Sequence, residues 1–251
     1  MTFFSSPTAL MSRWLLHTIA SVVLWSLVIV TAMADEPLPR LRIILIGDST
    51  VASYDKPPPD RPDLTGWGQV FGEFFGDRVD VVNLAKSGRS SRSFIREGLW
   101  KQALASPADF VFIQFGHNDQ PGKGDRTTDP KGDYQDFLRQ YIDEARERKM
   151  KPVLVTPVAR RTFANGKIHT SLQPYADAMK TVGREKQVPV VDLHSASLEL
   201  LGRLGDEVSA DFSPSKDDRT HFSRKGAKAI AELVAKSLPE TVPELRRYLM
   251  Q

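Results

Sequence analysis

The 251-residue sequence predicts an α/β domain in which helices cover both faces of a single five-stranded parallel sheet. Five short apolar runs, rich in β-branched residues, have the length and composition of buried strands. They lie at Leu41–Ile46, Val79–Leu84, Phe110–Phe115, Pro152–Val158 and Val188–Leu193. Strands that are apolar throughout are typical of parallel sheets, because both faces of such a sheet are buried.

Amphipathic helices are predicted between the later strands and near the end of the chain. From Tyr134 to Arg148, apolar side chains recur at spacings of three and four, so they line one face of a helix. Arg224–Ser237 has the same spacing, and Pro239 follows shortly after the predicted end of that helix. Helices that alternate with apolar strands favour one sheet in one domain.

The first 34 residues have the composition of a secretory signal peptide. They contain no acidic residue and one arginine, and their apolar stretch Trp14–Val30 is followed by Ala-Met-Ala at positions 32–34. An uncleaved membrane anchor is the alternative, but His17 and later polar residues interrupt the apolar stretch. We expect residues 1–34 to be removed, and residues 35–251 to form a secreted or periplasmic domain without stable membrane association.

Composition excludes several classes of function. The chain has no cysteine, so disulfides, thiol nucleophiles and zinc–thiolate sites are all excluded. The formal net charge is only +3 and no run of basic residues occurs, which argues against nucleic-acid binding. The glycine patterns of nucleotide-binding enzymes and the G-x-S-x-G elbow of α/β-hydrolases are absent from the sequence.

A candidate nucleophile follows the first predicted strand. The strand ends at Gly47, which places Ser49 at the carboxyl edge of the sheet, with a held backbone and an accessible hydroxyl. The alternative is that Asp48 or Ser49 caps the next helix.

His221 is the candidate base. Of the histidines after residue 34, we expect only His221 to have a carboxylate placed to orient it, that of Asp218 three residues earlier. A carboxylate at one imidazole nitrogen leaves the other nitrogen free to accept a serine proton. A surface loop with a capping Asp or Ser is the alternative.

Two further segments offer hydrogen-bond donors to a developing oxyanion. Gly88 follows the second strand, and a glycine lets a backbone N–H approach a bound oxygen closely. Asn118 follows the third strand and carries a side-chain amide. Each segment alone is also compatible with a plain turn. Parallel strands bring such loops to one edge of the sheet, so nucleophile, acid, base and donors together favour an active site.

These segments resemble, in order, the four sequence blocks of the SGNH (GDSL-type) hydrolases. More narrowly, the chain is similar to the rhamnogalacturonan acetylesterases, carbohydrate esterase family 12. The matching stretches are Gly47-Asp48-Ser49-Thr50, GWGQ at 66–69, SGRSSRSF at 87–94, Gly116-His117-Asn118-Asp119, TPVAR at 156–160, and Asp218-x-x-His221 followed by Phe-Ser.

The resemblance implies a three-layer, flavodoxin-like α/β/α fold, no metal and no organic cofactor. It implies a serine esterase that removes acetyl groups from a polysaccharide such as rhamnogalacturonan or pectin through an acetyl-serine intermediate. Ser49, Asp218 and His221 would form the catalytic triad. The backbone N–H groups of Ser49 and Gly88 and the side chain of Asn118 would form the oxyanion hole.

Substrate contacts and alternatives complete the expectations. Arg89 and Arg160 are candidate ligands for galacturonate carboxylates, although both could be solvated surface charges. Trp67 is a candidate lining of a sugar site, although it could instead pack a helix. We expect a monomer whose partner is an acetylated polysaccharide or oligosaccharide. The alternatives are an SGNH esterase acting on acetylated xylan, other glycans or small esters, and a carbohydrate-binding protein without catalysis.

Overall fold

The computed structural model describes residues 1–3 and 38–250. Apart from its first three residues, the predicted signal peptide 1–34 therefore lies outside the described residues. Every element below belongs to one compact unit that begins at Arg40. Within the described ranges, no helix has both the length and the apolar character needed to cross a bilayer.

The central sheet has five strands: β1 (Leu41–Gly47), β2 (Val79–Asn83), β3 (Phe110–Gln114), β4 (Lys151–Val155) and β7 (Val190–Val191). Their order in the sheet is β2-β1-β3-β4-β7, and all neighbours pair in parallel. A separate antiparallel hairpin consists of β5 (Thr162–Ala164) and β6 (Lys167–His169). The predicted five-stranded parallel sheet is confirmed.

Seven α-helices occur in the described part of the chain. They are α1 (Trp67–Val70), α2 (Ser91–Arg96), α3 (Leu99–Leu104), α4 (Asp133–Glu147), α5 (Gln173–Lys186), α6 (Leu193–Val208) and α7 (Arg224–Thr241). Short 3₁₀ turns lie at Phe71–Phe74, Gly124–Arg126, Ala210–Phe212 and Pro243–Tyr248.

Helices cover the sheet on both faces, as expected for strands that are apolar throughout. Ile44 and Ile113 point to one face, where they share a core with Tyr141 of α4 and Met179 of α5. Phe112, which points to the opposite face, packs against Phe71 at the end of α1. On that side α7 packs against α1, α6 and β7. Each fully buried large side chain contributes roughly 1.5–3 kcal/mol to folding.

Three predicted elements differ from the structure by more than one residue at an end, and proline explains the difference in two of them. β4 ends at Val155 instead of Val158, because Pro157 has no N–H with which to continue the ladder. β7 has only two residues: it begins after Pro189 and ends where the Asp192 side chain caps α6 by accepting from Ser195 N–H. α7 continues through Pro239 to Thr241, four residues beyond its predicted end.

The α7 extension has a physical reason in packing. Leu238 is fully buried, and its carbonyl accepts a hydrogen bond from Val242 N–H at 2.8 Å. Burial of these two apolar side chains holds the last turn in place despite the hydrogen bond that a proline cannot donate.

The strand order fixes where a site can form. In a sheet of this order, a crevice opens beyond the carboxyl ends of β1 and β3, the point at which successive connections leave in opposite directions. Ser49 follows β1 and Asn118 follows β3, so the fold brings their loops to the same crevice.

Candidate active site

The Ser49 loop is held rigidly from both sides. The buried carboxylate of Asp48 accepts hydrogen bonds from Thr50 N–H at 2.9 Å and Thr50 Oγ1 at 2.8 Å. The hydroxyl of Tyr54 donates to the Ser49 carbonyl at 2.8 Å. The backbone around Ser49 is thereby fixed, which is what an activated nucleophile requires.

His221 lies between Ser49 and Asp218. Its Nε2 is 3.0 Å from Ser49 Oγ, and its Nδ1 is 2.9 Å from Asp218 Oδ2. The two outer residues, Ser49 and His221, are 172 positions apart in the chain, so only the fold joins them. The three predicted catalytic side chains form one continuous hydrogen-bonded chain.

Asp218 is held in its charged form. Burial by itself raises the pKa of this carboxyl, but hydrogen bonds from the His221 ring and from the N–H groups of His221 and Thr220 outweigh burial and keep the pKa well below its usual value. Arg61 Nη1 donates to Asp218 Oδ2 at 3.2 Å as well. A carboxylate only accepts, so the facing Nδ1 of His221 carries a proton, and the tautomer with its single proton on Nδ1 has Nε2 as the acceptor toward Ser49.

Two of the three predicted oxyanion donors, Gly88 and Asn118, lie beside one arginine. Gly88 adopts φ +79°, a left-handed conformation that favours glycine. Arg126 Nη1 donates to the Gly88 carbonyl at 2.8 Å and faces Asn118 Oδ1 at 3.4 Å. The amide nitrogen of Asn118 donates to the Arg89 carbonyl at 3.1 Å.

A second imidazole–carboxylate pair lies underneath the Ser49 loop. His117 Nδ1 is 3.2 Å from Asp48 Oδ2, and the two side chains are 3% and 0% exposed. The expectation that only His221 would have an orienting carboxylate is therefore wrong. Asp48 is distant from His117 in sequence and reaches it because β1 and β3 are neighbours.

The sequence profile of the GDSL-like lipase/acylhydrolase family matches residues 45–229, a span that contains every catalytic candidate. The chain belongs to this family. The predicted SGNH resemblance is confirmed, and with it the enzyme class, a carboxylic ester hydrolase.

Relatives of this GDSL family member include two proteins of Bacillus subtilis (strain 168). Rhamnogalacturonan acetylesterase RhgT is 42% identical over 84% of this chain and 94% of its own length. Probable rhamnogalacturonan acetylesterase YesY is 39% identical over 79% of this chain and 92% of its own length. The crystal structure of YxiM from Bacillus subtilis, 26% identical, aligns with a TM-score of 0.69 over 82% of this chain and 58% of that one.

Trp67 does not line the crevice of this GDSL enzyme. Its side chain is 1% exposed, its indole N–H donates to Gln114 Oε1 at 2.9 Å, and its ring packs edge-on against Phe71. The expectation of a sugar contact is wrong, and the packing alternative is confirmed. Burial leaves this ring no surface to offer a substrate.

The two arginines predicted to contact substrate differ in their present partners. The Arg89 guanidinium donates to Glu97 Oε2 at 2.8 Å and to the Ser87 carbonyl at 2.8 Å. Arg160 lies closer to the triad: its guanidinium contacts Thr220 Oγ1, between Asp218 and His221, and donates to Gln120 Oε1 at 2.9 Å. Burial lowers the pKa of Arg160, against the opposing effect of the Asp48 and Asp218 carboxylates.

Three residues that contact the site were not predicted from the sequence. Tyr54 holds the Ser49 carbonyl, Arg61 contacts Asp218, and Arg126 contacts both Gly88 and Asn118. Arg61 lies in the loop at 55–65 and Arg126 in the loop at 116–132. Both loops are longer than ordinary connections, and that length is the one sequence signal that indicates a functional role for them.

Proposed function

We propose that this protein is a serine carbohydrate esterase that removes O-acetyl groups from a plant-type polysaccharide, foremost rhamnogalacturonan or pectin. The observation that carries the proposal is the continuous chain from Asp218 through His221 to Ser49, with contacts of 2.9 and 3.0 Å. Two relatives that match most of the chain are named as established or probable rhamnogalacturonan acetylesterases, which supports the choice of substrate.

Acylation begins with proton transfer from Ser49. His221 Nε2 takes the hydroxyl proton while Ser49 Oγ forms a bond to the acetyl carbonyl carbon. Asp218 stays ionised, holds the imidazole in the required tautomer and stabilises the imidazolium. The C–O bond to the sugar then breaks, and His221 returns the proton to the departing sugar oxygen.

Charge on the carbonyl oxygen is stabilised by three donors: the N–H groups of Ser49 and Gly88 and the side-chain amide of Asn118. Asn118 Nδ2 has two protons, of which one is used on the Arg89 carbonyl, so one remains for the oxyanion. Water activated by His221 then attacks the acetyl-serine. Acetate leaves and Ser49 regains its proton.

The first experiment compares wild type with Ser49→Ala on a neutral aryl acetate. We expect a loss in kcat of about 10⁶, because the nucleophile is gone. Equal rates would exclude Ser49 as nucleophile. If wild type does not hydrolyse acetate esters but binds the polysaccharide, the protein is a carbohydrate-binding protein instead.

The second experiment measures acetate release from acetylated pectin, acetylated xylan and the aryl acetate in parallel. The proposal requires the highest kcat/KM on pectin. Faster release from xylan, or from aryl acetate alone, would favour the alternative SGNH substrates. We propose Arg89 and Arg160 as contacts for galacturonate carboxylates, so added salt should slow the pectin reaction and leave aryl acetate hydrolysis unchanged.

Export and assembly complete the proposal. We propose that residues 1–34 are a cleaved signal peptide, that the enzyme is periplasmic or extracellular, and that it is a monomer. N-terminal sequencing of the enzyme recovered from the periplasm and from the medium should begin at Asp35. Light scattering of that enzyme should give the mass of one chain.

A further inference from the structure

We propose that Arg126 is a positioning residue that sets the orientation of the Asn118 amide and the place of the Gly88 loop, and thereby assembles the oxyanion hole. The inference rests on the proposed function. It starts from one observation: a single guanidinium nitrogen, Arg126 Nη1, contacts both the Gly88 carbonyl at 2.8 Å and Asn118 Oδ1 at 3.4 Å.

The surroundings of Asn118 distinguish the two ends of its amide. Oδ1 faces the guanidinium of Arg126, which only donates, and Nδ2 faces the Arg89 carbonyl, which only accepts. A flipped amide would place NH₂ against the guanidinium and oxygen against a carbonyl. Both contacts would then become unfavourable, so the amide is held with its NH₂ available as a donor.

Arg126 also positions the loop that carries the Gly88 N–H, the other donor. The Gly88 carbonyl accepts from Arg126, and a Cβ built on Gly88 would lie 3.6 Å from Arg126 Nη1. The guanidinium therefore packs directly on the left-handed turn at Gly88. Arg126 in turn is held by its own loop, since its Nε donates to the Lys123 carbonyl at 3.3 Å.

Arg126 thus links two separate loops, the one after β2 and the one after β3. Gly88 and Asn118 are expected to donate to the same oxygen, so their relative position must be set within a few tenths of an ångström. One rigid, planar guanidinium that contacts both loops can set the position of Gly88 relative to Asn118. Arg126 acts through these donors and does not itself contact the substrate.

A double-mutant cycle on neutral aryl acetate tests the proposal. Asn118→Ala alone should lower kcat about 10²- to 10³-fold, the loss of one oxyanion donor. Arg126→Met alone should lower kcat by about 10- to 100-fold with KM unchanged, because the transition state and not the substrate loses its donor. In the Asn118→Ala background, Arg126→Met should lower kcat by a smaller factor than in the wild type, because only its effect through the Gly88 loop remains.

Fully multiplicative losses in the double variant would overturn the proposal, since none of the effect of Arg126 would then pass through Asn118. A wild-type kcat for Arg126→Met would overturn it too. The matched control is Arg139→Met, which removes an arginine bound to Glu185 on the outside of α4 and should leave kcat unchanged.

Two further variants allow the cycle to be interpreted if Arg126→Met does not fold or if the proposed function is wrong. If Arg126→Met does not fold, as judged by its thermal unfolding midpoint, Arg126→Lys replaces it in the same cycle, because a lysine cannot reproduce the planar fork. Ser49→Ala separates the two proposals. An active Ser49→Ala variant contradicts the proposed function. If Ser49→Ala is inactive and the Asn118–Arg126 double variant shows fully multiplicative losses, only the role of Arg126 is contradicted.

Discussion

Two imidazole–carboxylate pairs lie beside the same serine loop, and they differ in their surroundings more than in their composition. His221 and Asp218 are 2.9 Å apart and 24% and 11% exposed, whereas His117 and Asp48 are 3.2 Å apart and 3% and 0% exposed. The second nitrogen of His221 faces Ser49 Oγ. That of His117 is buried, without a hydrogen-bond partner among the described residues.

The comparison teaches that an oriented imidazole is not sufficient for catalysis. A base must also contact the nucleophile and be open to the substrate that will receive its proton. The outer pair, His221–Asp218, meets both conditions. The inner pair, His117–Asp48, meets neither, and its contacts instead join the loop after β1 to the loop after β3.

A partner also decides the charge of a buried carboxyl. Asp48 and Asp119 are both fully buried. Burial raises the pKa of each, but in Asp48 the contact with His117 and the hydrogen bonds from Thr50 more than offset burial, and the pKa is lowered. Within the described residues, the Asp119 side chain receives hydrogen bonds only from Ser91 and Thr128, and burial raises its pKa to about 7.

Removal of the outer histidine should have the largest effect. We expect His221→Ala to lower kcat on aryl acetate by about 10⁶, because no base remains for Ser49. Its free energy of unfolding should change by less than about 1 kcal/mol, since Asp218 keeps its backbone and Arg61 donors. A loss of activity below tenfold would contradict the assignment of the base.

Asp218→Asn should have the next largest effect. The amide can donate to Nδ1 of His221, which favours the wrong tautomer, and kcat should fall about 10⁴-fold. The measurement is kcat on aryl acetate, with circular dichroism as the control for folding. Near-normal kcat would show that Asp218 does not set the tautomer.

Removal of the inner histidine should affect stability first. His117→Leu leaves the Asp48 carboxylate buried without its main partner, so the free energy of unfolding in urea should fall by about 2–4 kcal/mol. The kcat of the folded variant should stay within about tenfold of wild type. His169→Leu, an exposed position on β6, is the control and should change stability by less than about 0.5 kcal/mol. A catalytic loss as large as that of His221→Ala would contradict the comparison.

The buried carboxyl of Asp119 should make stability depend on pH. The folded-state pKa of Asp119 is about 7 and thus above its value in the unfolded chain, so its contribution is fully present below about pH 4 and is lost as pH rises to 7. The slope from this group is at most about 1.4 kcal/mol per pH unit. Asp119→Asn should flatten the wild-type decrease, measured by urea unfolding across that range. An unchanged slope would show that Asp119 does not titrate there.

Local chemistry explains why much of the fold was predictable. Short apolar runs rich in β-branched residues, such as Leu41–Ile46 and Phe110–Phe115, favour buried strands. The observed strands β1 and β3 begin where predicted. Predicted boundaries were wrong beside Pro157 and Pro189, because the effect of a missing N–H depends on which neighbour would have accepted it.

The sequence by itself determined the existence of the five sheet strands and their order along the chain, their parallel pairing and the grouping of the Ser49, Gly88 and Asn118 loops, because parallel strands end at one edge whatever their loops do. Only the tertiary structure decided which side chains face the crevice. A tryptophan suits a hydrophobic core as well as a sugar-binding site, so the residue type alone did not decide between them. The burial of Trp67 follows from its contacts with Gln114 and Phe71. Arg61 lies 157 positions from Asp218, a contact set by the path of a long loop and not by local preference.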